Sequence, residues 1–120
     1  MKLVTVRTAV ATVALLAAHL AWAHAYPKHQ EPAAGSTAPT TIDAVVIDFD
    51  DRLERAFSSI AVTDEQGKAV TRGKSEVDSS DSKRMSVGLS PLKPGAYAVA
   101  WVAVAADGHR TQGHYKFMVK

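Results

Sequence analysis

From residue 41 onward the apolar positions fall into short alternating runs. In residues 41–49 (TIDAVVIDF) Val45, Ile47 and Phe49 share one parity within a β-branched stretch, which predicts a strand with one buried face. Residues 58–64 and Ala69-Val70 flank Glu65-Gln66-Gly67-Lys68 and read as strand, turn, strand, Gly67 supplying the positive φ that such a turn requires. Met85, Val87 and Leu89 alternate in residues 84–89. Tyr97, Val99, Trp101 and Ala103 interleave with Ala98, Ala100, Val102 and Val104, giving a long strand that is apolar on both faces and therefore central. Asp107-Gly108 signals a two-residue hairpin, after which Tyr115, Phe117 and Val119 set the buried parity of a last strand.

Between these runs the pattern weakens. Residues 50–57 (DDRLERAF) are charged, with Leu53 and Phe57 four apart, and predict a helical turn or a bent crossover. Residues 73–83 are polar and read as a loop or weak edge strand, while Pro91 and Lys93-Pro94-Gly95 interrupt the chain. About seven short strands with turn signals roughly every 8–12 residues predict an all-β fold, an antiparallel immunoglobulin-like or Greek-key β-sandwich or barrel of cupredoxin-like appearance.

The N-terminus follows a different rule. Lys2 and Arg7 precede an apolar stretch at residues 9–18, broken only by Thr12, and then Ala21-Trp22-Ala23. That order is the signature of a secretory signal peptide over residues 1–23, and its apolar run is too short for a membrane anchor. Cleavage after Ala23 starts the mature domain, residues 24–120, at His24. A second small-residue pattern, Ala23-His24-Ala25, would start it at Tyr26 and discard His24, and sequence rules leave both open.

The chain has 120 residues, room for one domain beside such a leader, and its 47% hydrophobic and 22% charged residues belong to a globular chain rather than a disordered one. A pI near 9.0 hints at an anionic partner. With Lys2 and Arg7 assigned to the leader, however, the 14 basic residues fall to parity with the 12 acidic ones, so nucleic acid is not an expected partner. There is no cysteine, which removes disulfides and thiolate metal sites. Motifs for serine hydrolases, nucleotide-binding loops and zinc peptidases are missing as well.

What remains is histidine chemistry. Asp107 and His109 flank Gly108, so a carboxylate and an imidazole project from one turn, although Asp also suits an Asp-Gly turn for purely conformational reasons. A mature N-terminal His24 changes the weighting, because an α-amine and its own Nδ1 chelate one metal in a six-membered ring. Such an amine has a pKa of only ~8 and yields its proton to a metal at modest cost. Adding His109 and Asp107 gives three nitrogens and one oxygen, a set that suits tetragonal Cu(II) better than Zn(II), which prefers a tetrahedron.

The segments HAYPKHQEPAAGS, IDFDDRLERAF, LSPLKPGAYAVAWVAVAADGHRTQG and YKFMVK resemble the CopC-type periplasmic copper-binding proteins over essentially all of residues 24–120. The most specific part is the W-x5-D-x-H-x3-G spacing from Trp101 through Asp107 and His109 to Gly113. The resemblance implies a seven-stranded Greek-key β-barrel holding one Cu(II) per monomer through an N-terminal histidine and the Asp and His of the D-x-H turn. By position these ligands are His24, Asp107 and His109. The family's F-x-[DE]-x-L segment also brings an acidic residue near the site, and Asp51, between Phe49 and Leu53, matches it as a minor contributor; as an ordinary carboxylate it reads equally well as solvated or capping.

One branch of the family carries a Met-rich loop for Cu(I). Here only Met85 and Met118 follow the leader, isolated on strands, so the resemblance implies a Cu(II)-only protein. His29 and His114 are expected to stay off the metal. The implied role is that of a non-enzymatic monomer, without a membrane anchor, in copper resistance and homeostasis. It sequesters copper in the periplasm or hands it to an inner-membrane copper transporter of the CopD type. Two other readings stand beside it. One is a copper-dependent oxidative enzyme with an N-terminal-His site, against which an Asp ligand would fill a position that O₂ needs. The other is a metal-free immunoglobulin-like interaction module in which Asp107-Gly108-His109 is only a turn.

Overall fold

The computed structural model describes residues 24–120; the expected leader, residues 1–23, lies outside them. Eight strands follow in order: β1 (Pro27–Glu31), β2 (Thr37–Ala38), β3 (Ala44–Phe49), β4 (Ser59–Thr63), β5 (Thr71–Val77), β6 (Arg84–Leu89), β7 (Gly95–Val104) and β8 (Arg110–Val119). They form two four-stranded sheets, ordered β1-β3-β6-β5 and β2-β8-β7-β4. The all-β, Greek-key-like sandwich expected from periodicity is therefore the observed class, with eight strands in place of seven. The Pro- and Gly-containing stretch after His24 supplies β1, an edge strand antiparallel to β3, and β2, which runs parallel to β8 for two residues. Both arise from backbone pairing at a sheet edge, where no alternation of side chains announces them.

Alternation places the core. Val45, Ile47 and Phe49 of β3, Met85, Val87 and Leu89 of β6, and Tyr97, Val99, Trp101 and Ala103 of β7 all point inward, opposite Tyr115, Phe117 and Val119 of β8. Trp101 meets Phe49 edge-on, with ring centroids 5.4 Å apart, and this contact ties one sheet to the other. Strand β7 is central, between β4 and β8, as its composition predicts. Its second face is not covered, however: Ala100 is exposed and Ala98, Val102 and Val104 are half-buried on the outer surface of the sheet.

Three expectations are sharpened or changed. Residues 50–57 contain no helix: Leu53 is buried and bridges to Ala105, while Phe57 is 68% exposed, so the segment is the bent crossover. The turn after β4 forms as expected, with Gly67 at φ +78°, but beyond it only an isolated Thr63–Ala69 bridge joins the two arms. The chain then crosses to the other sheet as β5, an edge strand that includes residues 73–77 of the polar stretch, in keeping with the weak edge strand expected there as one alternative. The third change concerns the hairpin tip. Strands β7 and β8 stay in register from Gly95–Val119 to Val104–Arg110, leaving residues 105–109 as the loop, longer than a two-residue turn. Ala105 N donates to His109 O at 2.9 Å and Gly108 N to Ala105 O at 2.8 Å. Gly108 takes φ +89° and no non-glycine residue among the described ones has a positive φ, so Asp107 itself does not adopt a left-handed conformation.

Candidate metal centre

At the tip Asp107 closes an Asx-type turn onto His109. Its Oδ1 accepts from the His109 backbone N–H at 3.0 Å and its Oδ2 lies 2.7 Å from His109 Nδ1, so both carboxylate oxygens are engaged by one residue. The His109 backbone bond, then its side-chain bond, hold the Asp107 carboxyl below its ordinary value, with a smaller pull from the charge of nearby His24. The pair is accessible: the His109 side chain is 42% exposed and that of Asp107 33%. In the tautomer that this pairing selects, Nδ1–H donates to Asp107 and the ring's lone pair sits on Nε2.

His24 reaches the same tip from the other end of the domain. Its ring centroid stands 5.1 Å from that of His109, with the planes tilted by 43°, and 5.9 Å from that of Tyr26. The residues just after it are firmly held. Ala25 is fully buried, and its carbonyl accepts a short hydrogen bond from the hydroxyl of buried Thr111 on β8. Tyr26 N donates to Asp50 Oδ1 at 2.8 Å and Asp50 N returns a bond to Tyr26 O at 3.0 Å.

Of the residues singled out from sequence, His24, Asp107 and His109 thus meet, Asp107 through its contact with His109. Asp51 accepts from its own neighbour, Arg52 N, at 2.7 Å, and it is Asp50 that holds the N-terminal arm. His29 lies exposed on β1, 4.0 Å from the Glu31 carboxylate, and His114 lies exposed on β8 opposite Ala100. Met85 is fully buried in the core and Met118 is 46% exposed. Among the described residues no group of three or more His, Cys, Asp or Glu side chains is by itself ready to hold a metal ion. A cut before His24 would add an α-amine to the donors gathered at this tip.

Thr111 and Asp50 went unnoticed in the sequence. A signal for Thr111 was present: it shares the inward parity of Tyr115, Phe117 and Val119, and a hydroxyl at a core position needs a partner. The structure also explains the spacing from Trp101 to Gly113. The two are cross-strand partners, and a Cβ on Gly113 would stand 2.6 Å from Trp101 Cζ2. The tryptophan lies over the glycine, and the pair braces the hairpin whose tip carries Asp107 and His109.

The CopC domain family matches residues 27–120. The chain belongs to the CopC family. That match includes Asp107 and His109 and begins just after His24. Among relatives, protein YobA of Escherichia coli K12 is 37% identical over 100 residues, covering 82% of this CopC-family chain and 81% of YobA. Copper transport protein CutJ of Bacillus subtilis is 31% identical over 99 residues, which cover 82% of this chain but only 18% of CutJ. Among solved structures, CopC of Methylosinus trichosporium OB3b superposes with a TM-score of 0.71 at 26% identity, over 81% of this chain and 94% of that one. PcoC, a methionine-rich copper resistance protein of Escherichia coli, gives 0.72 at 28% identity, over 82% of this chain and all of PcoC.

Proposed function

We propose that the mature protein, residues 24–120, begins at His24 and is a periplasmic Cu(II) carrier that holds one copper ion per monomer. The coarser role comes with the family: this is a copper-binding protein of the copper resistance and transport type, not an enzyme. The observation that carries the finer reading is the approach of the His24 and His109 rings to 5.1 Å at an exposed tip. A ring nitrogen ~2.0 Å from a metal puts the ring centroid ~3 Å from it, so two imidazoles on one ion have centroids between ~4.5 Å (adjacent) and ~6 Å (opposite).

The D-x-H pair supports the same centre. Two donors at right angles, each ~2.0 Å from one ion, stand ~2.8 Å apart, close to the 2.7 Å between His109 Nδ1 and Asp107 Oδ2. Copper held between them would take the place of the proton on Nδ1, the neutral ring then carrying its one proton on Nε2 instead. His24 contributes its α-amine and a ring nitrogen, completing three nitrogens and one oxygen. Asp51, whose Oδ1 accepts from Arg52 N, is at most a minor contributor.

Exposure of His109 and Asp107 leaves the ion open to exchange with donors of an incoming partner, as cargo requires. An inner-membrane transporter of the CopD type is the partner proposed for that exchange. With Met85 in the core and Met118 on β8, no thioether pair is at hand for Cu(I). Intact-mass analysis of the exported protein, followed by Cu(II) and Cu(I) competition titrations, tests the proposal. It expects a chain starting at His24 that binds one Cu(II) tightly and Cu(I) weakly. A chain starting at Tyr26, or tight retention of Cu(I), would overturn it.

A further inference from the structure

A terminal chelate poses a physical problem. The end of a chain is the part most prone to fray, and ordering each residue on binding costs ~1–2 kcal/mol of backbone entropy. Here the cost is met before any ligand arrives. Ala25 is wholly inaccessible, its carbonyl receives the Thr111 hydroxyl, and both backbone polar groups of Tyr26 are taken by Asp50. Thr111 sits two residues beyond His109 on β8, and Asp50 follows the last residue of β3, so the arm is fastened to both sheets. Neither residue is a ligand in the proposed site.

We infer that Thr111 and Asp50 are positioning residues that clamp residues 25 and 26 and so hold His24 against His109 for copper capture. The inference rests on the reading that His24 chelates the ion. Thr111 is the more telling of the two. A valine of the same shape fits a β-strand core equally well, and Ala103 O, at 3.5 Å, offers its hydroxyl only a second and longer contact. The arm is therefore what this hydroxyl serves.

The test uses the mature protein and the variants Thr111→Val, Thr111→Ser, Asp50→Ala and Asp50→Asn, with Cu(II) affinity measured by chelator competition. The Tyr26 amide exchange rate is read in the metal-free state. Thr111→Val and Asp50→Ala are expected to weaken Cu(II) binding about five- to tenfold each, the effect of losing one hydrogen bond of ordinary strength. They should also speed exchange of the Tyr26 amide and broaden the Cu(II) paramagnetic resonance spectrum. Thr111→Ser and Asp50→Asn keep the donor and the acceptor respectively and should restore all three readouts. Wild-type affinity and Tyr26 exchange in both Thr111→Val and Asp50→Ala, or failure of the Ser and Asn variants to restore them, would overturn the clamp. Should Thr111→Val not fold, the Asp50 pair decides alone, since that side chain is at the surface. The underlying reading fails separately, if His24→Ala leaves Cu(II) affinity intact; Tyr26 exchange then still reports on the clamp.

Discussion

Replacing Gly113 by alanine tests why the hairpin motif ends in glycine. The backbone there needs no left-handed φ, so the cost is steric alone. The added Cβ would lie 2.6 Å from Trp101 Cζ2, 2.8 Å from Cε2 and 3.0 Å from Nε1, against an ordinary carbon–carbon contact of ~3.5–4.0 Å. The indole must therefore move by roughly 1 Å, and it has little room, being 6% exposed with the Phe49 ring against it. Overpacking of this kind costs ~1–3 kcal/mol, and at ~4–8 °C per kcal/mol for a domain of this size the midpoint should fall by about 4–24 °C. Thermal unfolding followed by circular dichroism reads this directly. A double-mutant cycle with Trp101→Leu identifies the cause, because with the indole gone the alanine should cost much less. Equal costs in the two backgrounds, or an unchanged midpoint in Gly113→Ala, would refute the steric account.

Two further expectations concern the site and the core. His109→Ala should weaken Cu(II) binding far more than Asp107→Asn, which keeps a coordinating oxygen but loses the charge, while His29→Ala and His114→Ala should change little; competition titrations in which His114→Ala equals His109→Ala would place copper elsewhere on the final hairpin. Burial, with a smaller contribution from Glu31, raises the Tyr115 phenol from 10.0 to about 12. Its contribution to stability is thus fully present below pH 10 and lost as the pH rises from 10 to 12, because the unfolded chain ionises first. Its hydroxyl has no partner among the described residues, so Tyr115→Phe should flatten that alkaline decline and raise stability by up to ~1 kcal/mol, and parallel pH profiles for the two proteins would contradict this.

The fold was legible wherever burial is one-sided. Val45, Ile47 and Phe49, or Tyr115, Phe117 and Val119, can satisfy a core only from a period-two element, and the strands appear where those residues predict them. Strands β1, β2 and the start of β5 were hidden because edge pairing draws on backbone groups that every residue carries. Strand β7 misled in part: its alanines and valines suggested two covered faces, whereas small side chains on an outer face cost little when exposed. At the site, Asp107 and His109 were visible as neighbours in one turn. Asp50 was not, and Thr111 showed only the inward parity of a core hydroxyl, since the partner of each depends on where the N-terminal arm lies after folding, a contact between distant parts of the chain that no local spacing encodes.

The central claim is that copper is held by the terminal amine and ring of His24 together with the D-x-H turn. It is tested most directly by comparing the mature chain starting at His24 with one in which a single alanine precedes it. Both are titrated with Cu(II) and followed by electron paramagnetic resonance. The extra residue leaves every side chain in place and converts the amine to an amide. The account predicts one equivalent of tetragonal, nitrogen-rich Cu(II) in the first protein and a much weaker, altered signal in the second. Identical spectra and affinities in the two would contradict it.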